Sequence, residues 1–310
     1  MDQLAEQAVP MWLAQVLLAG LAVSVALWIW AFLRWRRGQF VIPFQPRKQV
    51  PWGVSDLLVV LVVFLSAQVG MLMVARAWFG EAAMNPRAAD IEGGTVHVVA
   101  RLIAEGDGLV VLACFVAAVI VAPIAEEFLF RVLLQGWLES VESRARRILR
   151  AWPRWFFRGA GPIVITSLLF AQMHYRTEQP AMNMNFLVFV LVGTAIANIV
   201  TMAAAIAWMR WHAGATAVDL GWERHRFLPD VGLGLATFVA VGPALYLLQS
   251  TLTQFVLPKH IAADPFALLF FALFLGLLYY RTHRATASIT LHMALNATSV
   301  LMVWLLTRGG

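Results

Sequence analysis

The chain has 310 residues, of which 61% are hydrophobic and only 13% are charged; its mean hydropathy is +0.76, whereas soluble domains carry about 25% charged residues. That balance excludes a soluble globular domain and predicts an all-α, polytopic membrane helix bundle. The net charge of +6 comes from 23 Lys and Arg, an excess that belongs in cytoplasmic loops, and no soluble basic domain exists to hold nucleic acid.

A bilayer-spanning helix needs about 20 apolar residues. Runs at 11–33, 54–75, 109–134, 185–209, 231–252, 265–280 and 286–306 meet or approach that length. The first is too long and wrongly flanked for a cleaved signal peptide, so it is expected to be a membrane helix. An eighth run, 162–175, is short and crosses only with polar ends inside the membrane thickness or beside a hydrated cavity. The loops after the first, third, fifth and seventh crossings, this short run counted in order as the fourth, hold 16 of the 23 basic residues. Without the short crossing, Arg210, Arg224 and Arg226 change sides and the bias weakens. Eight helices in one membrane-embedded domain over 1–310, with both termini outside the cytoplasm, are therefore expected.

The loop 137–157 mixes Arg with Trp152, Trp155, Phe156 and Phe157 and suits a helix lying in the cytoplasmic interface. A short helix is expected around 96–104 in the outer loop. Cys114 is the one cysteine and sits in an apolar run, so no intrachain disulfide forms and the thiol reads as a core residue.

Polar residues inside the membrane runs are few, and those that stand out fall into three pairs or clusters. Glu126, Glu127 and Arg131 lie in the third, Phe170 and His174 end the short fourth, and His292 and Asn296 lie in the last. A charge near the bilayer centre costs about 3 kcal/mol on insertion scales, so such residues need partners or a function. Residues four apart share a helix face, so Glu127 with Arg131, Phe170 with His174 and His292 with Asn296 form three polar faces. Counted from the cytoplasmic ends at 1.5 Å per residue, Glu126 lies roughly 13 Å deep, His174 roughly 19 Å, and His292 with Asn296 roughly 10 to 16 Å. One polar cavity nearer the cytoplasmic side can collect them all.

Such a cavity suits water activation. A buried carboxylate is a competent general base beside a neutral histidine, and His292 with the Asn296 amide supplies donors for an oxyanion. Arg131 is expected to neutralise Glu127, leaving Glu126 to act. No Ser or Cys stands out as a nucleophile, although Ser167 and Thr290 lie one turn from two of the motifs.

The motifs EEFLFR, FAQMH and HMALN, in this order on separate helices, resemble the CPBP family of intramembrane glutamic proteases. That family includes type II CAAX prenyl endopeptidases and the Abi bacteriocin-processing or self-immunity proteins. The flanking PIAEEFLFR, SLLFA and YYRTHRATASITLH are similar to it as well, and the similarity covers about residues 120–175 and 265–300. The resemblance implies Glu126 as catalytic base, His174 as its helper, His292 and Asn296 as the oxyanion hole, and Glu127, Arg131 and Phe170 in support. It further implies no obligatory metal or cofactor, and a membrane-anchored or lipid-modified peptide substrate. The chain departs from the usual pattern at 185–252, where two further apolar runs separate the second and third motifs.

Three other readings fit the same residues. A zinc hydrolase would use Glu126, His174 and His292 as ligands, although no HExxH pair is present. A membrane scaffold or immunity factor would bind a peptide in the cavity without cutting it. A proton-relaying transporter would use the buried Glu and His, but lacks internal repeats.

Overall fold

The computed structural model describes residues 11–46, 49–80, 98–148, 158–174, 184–252 and 264–308. Among the described residues there are nine helices beyond one single-turn 3-10 segment, and no strand: α1 (Met11–Arg36), α2 (Val54–Phe79), α3 (Val98–Glu105), α4 (Gly108–Ile148), α5 (Ala160–Met173), α6 (Met184–Trp211), α7 (Phe227–Thr251), α8 (Asp264–Thr282) and α9 (Ala285–Arg308). Six of them, α1, α2, α4, α6, α7 and α9, are long and apolar enough to cross a membrane, while α5 and α8 are shorter apolar helices. Leu58, Val62 and Val69 of α2 and Leu18 and Ile29 of α1 point outward. Apolar side chains on the outside of helices this long require a hydrocarbon solvent, which supports a multi-pass integral-membrane placement.

The helices alternate in direction. At one end of the bundle the α2 N-terminus meets the α6 C-terminus, where buried Asp56 accepts from the Gly53 N–H (2.9 Å) and Trp208 Nε1 (3.0 Å) and pairs with His212 Nδ1 (2.7 Å). At the opposite ends of the same two helices, Phe79 packs edge-on against Phe186 and Phe189. The α4 C-terminus, the start of α5 and the α8–α9 turn are tied to the connectors on the Asp56 side: Val50 N–H donates to Ser140 Oγ (3.0 Å), Gly159 N–H to Glu142 (2.9 Å), and Arg284 grips Asp230 with two bonds of 2.5 and 2.7 Å. Against the opposite end, Leu102 and Ile103 of α3 cluster with Cys114 and Leu187, and Val300 and Val303 of α9 pack on them.

Two expectations change. The third run does not stop at 134, because α4 continues unbroken to Ile148. The Glu142–Arg146 pair, 2.6 Å and one turn apart, and the Ser140 contact with Val50 stabilise this polar extension as a continuation of the same helix. Residues 137–148 are thus no separate interfacial helix, and the remainder of that expected element, 149–157, lies outside the described residues. The expected outer helix is present as α3.

Sequence also explains where α5 begins. Gly159 precedes it with φ +85°, and a Cβ there would lie 2.2 Å from the Tyr280 ring, so only glycine satisfies both the turn and the close approach. Pro162 follows in the first turn, where a missing N–H costs nothing.

Candidate active site

Helix α4 departs from α geometry on both sides of its glutamates. Two π-helical segments, Val116–Val121 and Phe128–Gln135, enclose the α-helical turn Ala122–Glu127. Pro123 explains the first: an interior proline cannot donate to the carbonyl four residues back and clashes with it, and widening the helix ahead of it relieves the clash. Glu126 and Glu127 are thereby held on a short α turn between two wider ones.

The three polar faces do meet. Glu126 Oε2 lies 3.7 Å from His174 Nε2 and 3.9 Å from His292 Nε2. Glu127 Oε1 is 3.2 Å from His292 Nδ1, and Glu127 Oε2 is 3.6 Å from Arg131 Nε, with both side chains of that ion pair fully buried. His174 Nδ1 is 2.8 Å from the Phe170 carbonyl. A carbonyl only accepts, so Nδ1 carries a proton, and Nε2 is turned toward Glu126.

Phe170 is the packing hub. Its fully buried ring sits 4.4 Å from the His174 ring and 5.6 Å from that of His292 between centroids, and the Arg131 guanidinium lies 5.6 Å over it. Phe271 closes on the other side of His292 at 5.3 Å. The Asn296 amide is directed away from the glutamates, since its Nδ2 donates to the Ala118 carbonyl of the first π segment at 2.8 Å. Ser167 is fully buried, and neither it nor Thr290, whose hydroxyl donates to Thr286 at 2.8 Å, is placed as a nucleophile.

The cavity expected around these groups takes a different form. Glu127, Arg131 and Phe170 are sealed, Glu126 and His174 keep about a quarter of their side-chain surface open, at 25% and 26%, and Asn296 is partly exposed. The polar groups thus form a filled seam with one open side. A roomier groove of about 820 Å³ lies elsewhere, between α2 and α6, and its walls are apolar side chains such as Met71, Val74 and Phe189.

Several residues of the seam went unforeseen. Arg131 Nη1 donates to Thr166 (3.0 Å), Gln135 Nε2 to the Gly276 carbonyl (2.9 Å) and to Glu139 (3.0 Å), and Glu139 pairs with His283 Nε2 (2.9 Å), whose Nδ1 meets the Gln45 carbonyl (2.7 Å). The signal was present as spacing, because Glu127, Arg131, Gln135 and Glu139 recur every fourth position and so stack along one helix face. Gly276 admits them: a Cβ there would sit 3.2 Å from Gln135 Oε1. Trp52 closes the same region by donating from Nε1 to the Leu133 carbonyl at 3.1 Å. Among the described residues no group of three or more His, Cys, Asp or Glu is disposed to hold a metal ion.

Residues 108–222 match the family described as Type II CAAX prenyl endopeptidase Rce1-like, which supports assigning the chain to the CPBP, or type II CAAX-protease, family. No curated protein and no solved structure matches the chain. The match includes the first two motifs and stops before His292 and Asn296, which the fold returns to the same place on α9.

Proposed function

We propose that the chain is an intramembrane endopeptidase of the CPBP/type II CAAX-protease kind, in which Glu126 and His174 activate a water molecule. The observation that carries this reading is the pair of distances at Glu126 Oε2, 3.7 Å to His174 and 3.9 Å to His292. Both are too long for direct hydrogen bonds and right for groups that share an intervening oxygen. In this reading His174 is neutral, so its Nε2 and the Glu126 carboxylate both accept at that point and a water supplies the two protons.

In the mechanism, Glu126 takes a proton from water as the oxygen bonds to the peptide carbonyl carbon. His292 Nε2 and the second N–H of Asn296 stabilise the negative oxygen. Glu127, 3.2 Å from His292 Nδ1, orients the ring so that Nε2 faces that oxygen. Glu126 then returns its proton to the departing amine, so that water is added across the C–N bond. Arg131 and Phe170 hold Glu127 and the two imidazoles in register.

The same reading has eight crossings and a site nearer the cytoplasmic side. The start of α5 is tied to the end of α4, whereas α6 starts at the far end beside Phe79. The starts of α5 and α6 thus lie at opposite ends of the bundle, and α5, at 14 residues or about 21 Å, is shorter than the hydrocarbon core. Its short length leaves His174 at membrane depth. The basic loops lie at the Asp56 end, the cytoplasmic one by the positive-inside rule.

Comparing membrane peptides in cells carrying the wild-type protein and Glu126→Gln tests the function. A membrane-anchored or lipid-modified peptide is expected to accumulate uncut in the variant, with the protein still inserted and folded. Unchanged cleavage by Glu126→Gln would refute it, and loss of phenotype only on substitutions that block the open side would favour peptide binding without hydrolysis.

A further inference from the structure

The side-chain amide of Asn296 donates to a backbone carbonyl whose usual helical donors α4 does not supply. In an α-helix the Ala118 carbonyl would accept from residue 122, and in a π-helix from residue 123. Ala122 N–H is instead committed to Ala117, five residues back. Residue 123 is proline and has no N–H. Both backbone donors are thus lost at one carbonyl inside a membrane-embedded helix, where an unpaired acceptor is costly. Asn296 Nδ2 supplies the donor at 2.8 Å from α9.

We propose that Pro123 is a positioning residue for Asn296: by withholding its N–H it turns the Ala118 carbonyl into a dock that orients the Asn296 amide beside the Glu126–His292 site. The consequence is geometric. An amide nitrogen has two N–H groups; with one fixed on Ala118, the other has a defined direction, on the face of α9 that also carries His292 one turn away. A free asparagine side chain would have to be ordered at the moment of reaction, and donors already aimed at the developing charge avoid that cost. This deepens the proteolytic reading and rests on it for its catalytic part, while the coupling of Pro123 to Asn296 stands on the hydrogen bonding alone.

The test is a double-mutant cycle of Pro123→Ala and Asn296→Leu in the full-length protein in detergent. Two readouts are taken: thermal stability, and cleavage of a fluorogenic peptide ending in a prenylated cysteine and three further residues. Alanine restores an N–H that can close on Ala118. Asn296→Leu is therefore expected to lower the melting temperature, and adding Pro123→Ala to raise it again. In cleavage, Pro123→Ala alone is expected to lower kcat, by up to about a hundredfold for a misaimed group, with KM unchanged, and to have no further effect in the Asn296→Leu background. Additive stability changes, or full kcat in Pro123→Ala, would overturn the proposal. If the wild type cuts no peptide while the stability changes remain non-additive, the proteolytic reading fails and the dock survives.

Discussion

Helices α2 and α6 and the seam of α4, α5 and α9 are both packed inside one bundle, and they solve opposite problems. Beyond the Asp56 contact at one end, the first pair meets through apolar and small side chains: Gly193 faces Met71 so closely that a Cβ would fall 2.7 Å from Met71 Cγ. It also leaves the groove of about 820 Å³. The seam buries a carboxylate, a guanidinium and an imidazole against one another with little space left. Space and chemistry are thus separated, and volume alone would have led to the wrong wall of the protein. In a membrane, an apolar gap is filled by lipid at little cost, whereas an unpaired charge is not tolerated, so tight packing marks the polar region.

The sharpest way to break this contrast is at the buried ion pair. Removing Arg131 takes the guanidinium from a carboxylate of zero exposure and leaves it only the His292 imidazole, so Arg131→Ala is expected to cost about 3–5 kcal/mol. Chemical denaturation in detergent micelles measures it. A loss below about 1 kcal/mol, the value of an exposed pair, would mean that the seam is hydrated and the contrast with α2–α6 is false.

Phe170→Leu probes the same region without touching a charge. The shape change is expected to cost about 1.5 kcal/mol. Cleavage should fall further than that stability loss explains, because both imidazoles lose the ring that spaces them, and a misplacement of about 1 Å costs up to a hundredfold. Equal activity in the variant would reduce Phe170 to filler, and with it the claim that packing in the seam serves geometry.

How much of this was legible follows from the same division. Charges in apolar runs and i,i+4 pairs are written in one dimension, so Glu127–Arg131 and the convergence of Glu126, His174 and His292 could be read directly. The stripe continued to Gln135 and Glu139, yet those positions looked like a helix leaving the membrane, because the Arg-rich segment that follows resembles an interfacial element. Thr166 carries no charge and gave no signal, although it accepts a hydrogen bond from Arg131. The Asn296 contact was hidden for another reason: it depends on a π segment, and the helical repeat assumed from sequence places the Ala118 carbonyl in an ordinary hydrogen bond. The role of α6 was also illegible, because its stripe of small and apolar residues fits any neighbour equally well.

The smallest effect is expected in the groove, and it tests the other half of the contrast. Ala67 lines that space, and Ala67→Leu would extend an isobutyl group into it. In water such filling would gain hydrophobic free energy, but here the group exchanges one hydrocarbon neighbour for another, since lipid tails are as apolar as leucine. Stability should therefore stay within about 0.5 kcal/mol, the range of ordinary surface changes, and cleavage should be unaffected because the groove shares no lining residue with the Glu126 seam. A marked loss of activity at unchanged stability would show that substrate hydrocarbon enters between α2 and α6, joining the two regions that the structure keeps apart.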